Sequence, residues 1–236
     1  MAKAPTRSGL AFPLFKQNSN FKDANLIDLG CGNGNLITHF LSQPFAQWVG
    51  IDGGKSVIES ATNFINDKRV TLKHADITDE LDQCLKTQFD VATNFFVLEE
   101  IPNHKMNKLF QNIANVLKAH GEAHIFCNHP INVMMEDLNS VNTGNENRKF
   151  PNNKGYFDRQ ETVYKLQVLN QEQGSQSSPS YHHKTISDII NAAVISGLHL
   201  QKMYEIPKGV ITLDALDRHE PRQGDSPRFL YMKLHK

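Results

Sequence analysis

An apolar segment that ends in three alternating glycines, Asn25-Leu-Ile-Asp-Leu-Gly-Cys-Gly-Asn-Gly34, constrains the fold more than any other part of the chain. Two further aspartates, Asp52 and Asp76, follow Asp28 at equal intervals of 24 residues. One strand and one helix of a wound parallel sheet occupy about that length, since the helical crossover alone needs about a dozen residues or more. The pattern predicts a parallel sheet whose first strand ends in a glycine turn, with acidic side chains at successive strand ends.

Strand and helix patterns alternate along the first half of the chain. The strand candidates are residues 25–29, 47–52, 69–74, 89–94 and 122–127. Between them, apolar residues recur at helical spacing, as in the stripe from Met106 to Leu117, which Pro102 precedes and Gly121 follows. This alternation predicts an α/β fold with right-handed crossovers and helices on both faces of the sheet.

The pattern changes after Pro130. Residues 130–180 lack a long helical stripe, are rich in Asn, Gln, Ser and Gly, and far exceed the usual length of a connection. They form either an insertion with its own role or a disordered segment, and the alternating residues 162–168 favour an ordered lid that contains a strand. We therefore expect an α/β core at 25–129, a lid or substrate insertion at 130–180 and a C-terminal part at 181–236.

The C-terminal part completes the predicted sheet. A helix is expected from Thr185 to Gly197, because Thr185 and Asp188 have capping-box spacing and glycine suits a helix end. Strand patterns near 198–206 and 228–234 have no helical stripe between them. The last two strands are therefore expected to be antiparallel.

The N-terminal residues 1–24 are polar apart from the apolar cluster Leu10–Phe15. This cluster either caps a cleft or belongs to a partly ordered arm. Lys3 and Arg7 lack the apolar stretch that a secretory signal needs, and no apolar run in the chain approaches ~18 residues. A cytoplasmic protein without a membrane span is expected.

Charge and cysteine content argue against several classes of protein. The 25 Lys and Arg residues balance 25 Asp and Glu residues without a long run of one sign, so a nucleic-acid or anionic-membrane surface that works by charge alone is not expected. Cys31, Cys84 and Cys127 are far apart and lack C-x-x-C spacing, which argues against a disulfide framework and favours a reducing compartment. Because no cluster has metal-ligand spacing, no metal is predicted.

The glycine turn and the periodic acids together predict a ligand. Gly30, Gly32 and Gly34 let the backbone approach a ligand without an intervening Cβ. Their spacing differs from G-x-G-x-x-G, in which a helix N-terminus receives a pyrophosphate. Asp28 instead suits an ammonium group, and Asp52 is placed to accept hydrogen bonds from ribose hydroxyls. Asp76, at the end of the third strand, suits an acceptor for the exocyclic amine of adenine. A ligand with a ribose, an adenine, a cationic amino-acid tail and no phosphate is S-adenosylmethionine (SAM).

Four motifs extend this interpretation to a family. They are Asp28-Leu-Gly-Cys-Gly-Asn-Gly34, Gly50-Ile-Asp52, His74-Ala-Asp-Ile77 and Phe96-Val-Leu-Glu-Glu-Ile-Pro102. The series resembles the motifs of class I SAM-dependent methyltransferases and is most similar to the small-molecule branch with the ubiquinone-biosynthesis type enzymes. Ser180–Asp188 also resembles a tyrosine-histidine-arginine motif, with His183-Lys184 where His-Arg is usual. The resemblance implies a Rossmann-like, seven-stranded, mostly parallel sheet with an antiparallel last strand and SAM at the carboxyl edge of the strands.

The resemblance also implies residue roles. The cofactor-binding residues expected from it and from the spacing are Asp28, Gly30, Cys31, Gly32, Gly34, Asp52, Gly53, Asp76, Ile77, Asn94 and Phe95. The glycines surround the methionine portion, Asp52 binds the ribose, and Asp76 with Ile77 contacts adenine. Asn94 and Phe95 stand where the methyl donor meets its acceptor. Taken singly, Asp52 and Asp76 also suit helix caps, and Phe95 also suits the core.

Catalytic side chains are less strongly indicated. His129 follows the fifth strand, and His183 lies where the lid returns to the sheet. His104 and His182 share this edge, and a histidine there suits a general base near neutral pH. We take His129 and His183 as the candidates. The Asn-Pro-Pro-Tyr type of motif is replaced by Asn94-Phe-Phe-Val97, which counts against a nucleic-acid N-methyltransferase.

The sequence therefore predicts a SAM-dependent methyltransferase that acts on a small molecule, at oxygen or nitrogen rather than carbon. Tyr156, Phe157 and Tyr164 of the lid are candidates for an apolar acceptor pocket. Neither a nucleic-acid nor a membrane partner is expected, and the protein is expected to be a monomer or homodimer. The alternatives are a non-catalytic SAM-binding module and an NAD(P)-dependent oxidoreductase, although the latter needs G-x-G-x-x-G.

Overall fold

Nine strands form two sheets in the computed structural model, which describes residues 7–131, 156, 163–165, 180–220 and 226–236. The strands are β1 Asn25–Leu29, β2 Gln47–Asp52, β3 Val70–His74, β4 Phe89–Phe95, β5 Leu117–Asn128, β6 Val163–Lys165, β7 Ser180–His182, β8 His199–Pro207 and β9 Pro227–His235. β1 and β2 have the predicted bounds. β5 begins earlier than predicted, because the chain leaves the preceding helix directly in an extended conformation at Leu117.

Six α-helices connect or flank these strands in the described residues. They are α1 Phe12–Asn18, α2 Asn35–His39, α3 Lys55–Phe64, α4 Asn103–Val116, α5 Ile186–Ile195 and α6 Leu213–Asp217. A π-helical turn covers Arg7–Ala11, and 3-10 turns cover Gln83–Leu85 and Leu98–Glu100. The predicted capping box of α5 is present, since the side chains of Thr185 and Asp188 each accept a backbone N–H of the other residue. None of these helices is long and apolar enough to cross a bilayer.

The seven-stranded sheet has the order β3-β2-β1-β4-β5-β9-β8. β1 to β5 are parallel, and β9 is antiparallel to both β5 and β8. The Rossmann-like sheet with an antiparallel last strand is therefore confirmed. β6 pairs with β7 in a separate antiparallel ribbon, so part of the predicted strand 162–168 is extended. The rest of the predicted lid, residues 132–155, 157–162 and 166–179, lies outside the described residues.

Helices cover both faces of the large sheet, as predicted. Successive strand residues point to opposite faces, so that Leu26 and Ile27 belong to different core clusters. The cluster of Ile27 includes side chains of α4 and α5, and that of Leu26 includes side chains of α1, α2 and α3. The carboxyl ends of the parallel strands therefore open at one edge between the two helical layers, where ligands of such sheets bind.

The apolar cluster Leu10–Phe15 is part of the core. Phe15 is fully buried, and its ring lies 5.0 to 6.4 Å from five other aromatic rings, which are Phe21, Phe40, Trp48, Phe95 and His124. This packing fixes α1 against the sheet and places Phe12 beside the glycine turn.

Candidate functional site

The glycine turn after β1 is held against β2 by its backbone. The N–H groups of Gly30 and Cys31 both donate to the carbonyl oxygen of Ile51, at 2.8 and 2.9 Å. Gly30 has φ +86°, and a Cβ there would lie 2.4 Å from Cγ2 of Val97. Gly32 also has a positive φ, but a Cβ there would meet no atom within 4 Å. The turn thus packs tightly at Gly30 and leaves open space at Gly32.

Asp52, at the end of β2, closes the other side of the turn. One oxygen of its carboxylate accepts from the N–H of Gly32 at 2.8 Å, and the other accepts from the N–H of Gly54 at 2.8 Å. A carboxylate has about four lone-pair sites, so both oxygens keep capacity for further donors. Asp52 is therefore at once a support of the glycine turn and a hydrogen-bond acceptor at its surface.

Asp28 is a buried carboxyl group directly before the turn. Only 2% of its surface is exposed, and its Oδ1 accepts from the hydroxyl of Thr93 at 2.7 Å. Burial raises the pKa of Asp28 to about 7; the Thr93 hydrogen bond opposes this shift, and the nearby charge of Asp52 adds to it. A carboxyl group with a strongly raised pKa in a cleft is a mark of a functional site.

A cavity of about 210 Å³ joins these groups at the carboxyl edge of the sheet. Of the predicted cofactor residues it is lined by Asp28, Gly30, Cys31, Gly32, Asp52 and Phe95. It is also lined by residues that the sequence analysis did not select, namely Phe12, Asn33, Asn35, Leu36, Phe96, Val97 and Glu100. Burial also raises the pKa of Glu100, with a further contribution from Asp52. Three carboxyl groups thus face this cavity, and none of its described lining residues is basic.

Phe96 marks strain at the cavity wall. It adopts φ +59°, which is uncommon for a residue with a large side chain. Its N–H donates to the carbonyl of Phe126 at 2.6 Å, and its ring lies 5.0 Å from the ring of Phe126. These contacts hold the uncommon backbone conformation of Phe96 where the chain leaves β4 beside the cavity.

Five predicted cofactor residues do not line this cavity: Gly34, Gly53, Asp76, Ile77 and Asn94. Asp76 accepts from the N–H and hydroxyl of Thr78 at 2.8 and 2.6 Å, and Lys105 lies 3.2 Å from its second oxygen. Its carboxylate thus holds a local turn, and no helix begins there, so the helix-cap alternative does not describe it.

The other predicted residues at these strand ends have structural contacts as well. Ile77 is buried in the core on the α4 side of the sheet. Asn94 is completely buried, and its amide donates to the carbonyl of Leu29 at 2.7 Å, which ties the end of β4 to the end of β1.

His129 has both ring nitrogens engaged. The N–H of Ile131 donates to Nδ1 at 3.1 Å, so the ring proton is on Nε2, which donates to Glu205 at 2.9 Å. The ring has no exposed surface, and burial lowers its pKa, although Glu205 opposes this shift. This geometry leaves neither nitrogen free to take a proton from a substrate.

His183 does not line the large cavity. It is 6% exposed, and its Nε2 lies 2.9 Å from the carbonyl oxygen of Tyr156. It lines a second, smaller cavity together with Glu99 and Asn128. Glu99 was not among the predicted site residues, although the paired acids Glu99-Glu100 after a predicted strand are a usable signal.

Sulfur and metal chemistry are not indicated at the site. All three cysteines are free thiols, and burial raises the pKa of Cys31 and Cys127. Among the described residues, no group of three or more His, Cys, Asp or Glu side chains is arranged to hold a metal ion.

The raised pKa of Asp28 makes a prediction about stability. The folded protein keeps this proton between pH ~4 and about 7, where the unfolded chain has lost it, so stability falls as pH rises through that range. Asp28→Asn should make the free energy of unfolding fall less steeply with pH, by up to about 1.4 kcal/mol per pH unit. Urea unfolding at a series of pH values across this range measures that dependence. Asp82→Asn, an exposed control, should keep the wild-type slope, and parallel curves for Asp28→Asn and wild type would contradict the prediction.

Comparisons with known proteins agree with this geometry. Residues 26–121 match the family model described as a methyltransferase domain. Over 197 residues the chain is 24% identical to an uncharacterized protein of Haemophilus influenzae, in an alignment that covers 79% of this chain and 71% of that protein.

Solved structures share the fold. An S-adenosylmethionine-dependent methyltransferase of Mesorhizobium loti superposes with a TM-score of 0.65 at 18% identity, over 96% of each chain. The 1,6-didemethyltoxoflavin-N1-methyltransferase of Burkholderia thailandensis superposes with a TM-score of 0.57 at 13% identity, over 100% of this chain and 79% of that chain. The chain thus contains a segment that matches a methyltransferase domain, and it shares the fold of solved SAM-dependent methyltransferases.

Proposed function

We propose that this enzyme transfers the methyl group of SAM to an oxygen or nitrogen atom of a small molecule, with SAM in the cavity at the glycine turn. The observation that carries the proposal is the set of three carboxyl groups, Asp28, Asp52 and Glu100, around a cavity whose described lining is free of basic side chains. Such a site attracts a cation and repels a pyrophosphate. SAM carries an ammonium and a sulfonium group and no phosphate.

Each carboxyl group has a part in this proposal. Asp28 receives the ammonium group, because a buried carboxyl with a raised pKa gains most from a neighbouring positive charge. Asp52 accepts from the ribose hydroxyls with the lone pairs that Gly32 and Gly54 leave available. At Gly32 a Cβ would meet no atom within 4 Å, and this open space is proposed to accommodate the methionine portion.

The adenine contacts are proposed for the end of β3, at Asp76 and Ile77, together with Gly53 after β2. The carboxylate of Asp76 also holds Thr78 and Lys105, so a hydrogen bond to adenine would be additional to those contacts. At the end of β4, Phe95 is proposed to lie where the methyl donor meets its acceptor, and Asn94 ties that strand end to Leu29.

Bound SAM supplies an electrophilic methyl carbon. The protein's part is to align the acceptor with that carbon and to exclude water from the cavity. Phe12, Phe95 and Phe96 give the cavity apolar walls. A base is needed only where the acceptor must lose a proton.

A small-molecule acceptor is supported by two observations. The net charge is zero, so the chain lacks the basic excess typical of nucleic-acid binding. The Burkholderia thailandensis protein of the same fold binds 1,6-didemethyltoxoflavin, a small molecule.

Residues 130–180 are proposed as the substrate lid. Tyr156 is its described aromatic residue, and its hydroxyl accepts from the N–H of Ile186 at 2.9 Å. Phe157 and the side chain of Tyr164 lie outside the described residues.

Calorimetric titration with SAM and with NADH tests the cofactor. We expect saturable binding of SAM with roughly micromolar affinity and no heat of binding with NADH, because the carboxyl groups oppose its pyrophosphate. Saturable binding of NADH without binding of SAM would overturn the proposal and would support the alternative of an NAD(P)-dependent oxidoreductase.

Transfer of labelled methyl from SAM to a whole-cell extract, which is then separated into small molecules, nucleic acid and protein, tests the acceptor class. A labelled small-molecule product is expected. Label found only in nucleic acid or protein would contradict the proposed acceptor class, and SAM binding without any labelled product would favour a non-catalytic binding module.

A further inference from the structure

Glu100 lines the cavity proposed for SAM, but the proposed function gives it no part. It belongs to the Leu98–Glu100 turn after β4, whereas Asp28 lies in β1 and Asp52 ends β2. Its N–H donates to the carbonyl oxygen of Val97 at 2.8 Å, and its carboxylate makes no hydrogen bond or ion pair within the described part of the chain. The carboxylate is therefore available to a group of the ligand.

The turn that carries Glu100 begins at the glycine turn. Val97 packs against Gly30, since a Cβ on Gly30 would come within 2.4 Å of its Cγ2. β1 lies between β2 and β4 in the sheet, so the end of β2 and the turn after β4 flank the glycine turn on opposite sides. Asp52 and Glu100 thus reach the same cavity from two sides. Burial raises the pKa of Glu100 and the charge of Asp52 adds to this shift, so the two carboxyl groups interact.

The cavity gathers negative charge that its described residues do not neutralise. Asp28 is 2% exposed, and its hydrogen bond among the described residues is the one from the hydroxyl of Thr93, at 2.7 Å. Burial raises the pKa of Asp28 to about 7, and the charge of Asp52 adds to this shift as it does at Glu100. Because no described lining residue is basic, a bound cation relieves this repulsion and a water molecule does not.

The covalent structure of SAM brings its second cation to this part of the cavity. The sulfonium sulfur is bonded to the amino-acid chain on one side and to the 5′ carbon of the ribose on the other. With the ammonium group at Asp28 and the ribose hydroxyls at Asp52, the sulfonium lies between these two side chains. Glu100 is the third carboxyl group that lines the same space, and both of the others already have a partner on the ligand.

We propose that Glu100 is the counter-charge of the sulfonium and makes the cavity prefer SAM to its demethylated product, S-adenosylhomocysteine (SAH), an inference that rests on the proposed function. In the transfer, a lone pair of the acceptor forms the new bond to the methyl carbon, and the electrons of the broken S–C bond stay on sulfur. The sulfonium thereby becomes a neutral thioether. The positive charge passes to the acceptor, which releases a proton to solvent.

SAM and SAH are a matched pair of ligands for this residue. Both carry the ammonium group proposed for Asp28 and the ribose proposed for Asp52, and they differ by the methyl group and its charge. A carboxylate beside the sulfur therefore stabilises the complex with SAM and not the complex with SAH. Glu100 thus favours replacement of the product by a new molecule of donor.

Calorimetric titration with SAM and with SAH measures this preference. We expect the wild type to bind SAM about tenfold more tightly than SAH, since Glu100 is exposed to water that screens part of its attraction to a charge. Glu100→Gln keeps the size of the side chain and removes its charge. It should bind SAM about tenfold more weakly than the wild type and keep the SAH affinity within about twofold, so that the preference is lost.

Two control variants show whether the effect belongs to Glu100. Asp28→Asn should weaken SAM and SAH by similar factors, because both ligands carry the ammonium group. Glu59→Gln, on the exposed face of α3 and outside the cavity lining, should leave both affinities unchanged. Thermal unfolding of each variant reports whether its fold is retained.

Two further measurements separate charge from shape. Sinefungin carries a protonated amino group on carbon in place of the S-methyl group of SAM, so it keeps a positive charge at that position. Glu100→Gln should weaken its binding by about the same factor as that of SAM. Glu100→Asp keeps the negative charge and should keep a preference for SAM over SAH of at least about threefold.

The outcomes separate this inference from the proposed function. Equal affinity of the wild type for SAM and SAH would overturn the inference and leave the proposed function intact. The same holds for a Glu100→Gln variant that keeps the wild-type preference, or one that weakens SAM and SAH equally. Failure of the wild type to bind either ligand would instead overturn the proposed function itself.

Discussion

Asp52→Ala should weaken SAM binding at least about 100-fold. The substitution removes the acceptor proposed for two ribose hydroxyls, and each hydrogen bond to a charged group contributes about 1.5–3 kcal/mol. It also frees the N–H groups of Gly32 and Gly54, which the carboxylate holds at 2.8 Å, so the turn loses its support. Isothermal calorimetry with SAM measures the loss of affinity, and thermal unfolding reports how much of the effect is structural.

Asp82→Ala is a matched control for this variant. Asp82 also accepts a backbone N–H, that of Cys84 at 3.0 Å, but it does not line the cavity proposed for SAM. The control should lose a small amount of stability and keep the SAM affinity of the wild type. A SAM affinity of Asp52→Ala within about threefold of wild type would contradict the assignment of Asp52.

Gly30→Ala should destabilise the fold by roughly 2–4 kcal/mol and abolish SAM binding. Alanine at φ +86° is strained, and its Cβ would lie 2.4 Å from Cγ2 of Val97, inside van der Waals contact. The backbone of the turn must then move, although its N–H groups bond to Ile51 in the native arrangement. Urea unfolding and SAM calorimetry on the same preparation measure both effects.

Two comparisons separate the causes of the Gly30→Ala effect. Gly209 has φ +93° and open space around it, so Gly209→Ala reports the backbone strain alone. Adding Val97→Ala to Gly30→Ala removes the atoms in collision and should restore part of the stability, as a double-mutant cycle would show. An additive cycle would contradict the collision as the cause.

The sheet was predictable from the sequence because its signals are local. The segment Asn25–Leu29 is a mostly apolar strand, and the glycines after it adopt positive φ angles that other residues rarely adopt. The confirmed antiparallel last strand followed from the missing helical stripe before it. The start of β5 was wrong by several residues, since no local signal separates the end of α4 at Val116 from a strand that begins at Leu117.

The candidate site was predictable only in part. The spacing indicated Asp28 and Asp52, and the structure brings both to one cavity. Spacing alone does not show that Asp76 is engaged by Thr78 and Lys105, or that His129 is enclosed between Ile131 and Glu205. Thr78 and Ile131 lie only two residues from their partners, whereas Lys105 and Glu205 come from distant elements, and hydrogen bonds between distant elements leave no periodic trace in the sequence.

The sequence by itself determined the strand order along the chain, the glycine turn and the acids at the strand ends, because each depends on residues close together in the chain. Only the tertiary structure decided which side chains share a space. Phe12 of α1, Glu100 and Asp28 line the cavity proposed for SAM, and Glu99 and His183 line the smaller cavity. The physical reason is that sheet order and helix packing place distant segments side by side, and burial there changes the pKa of carboxyl groups that look ordinary in the sequence.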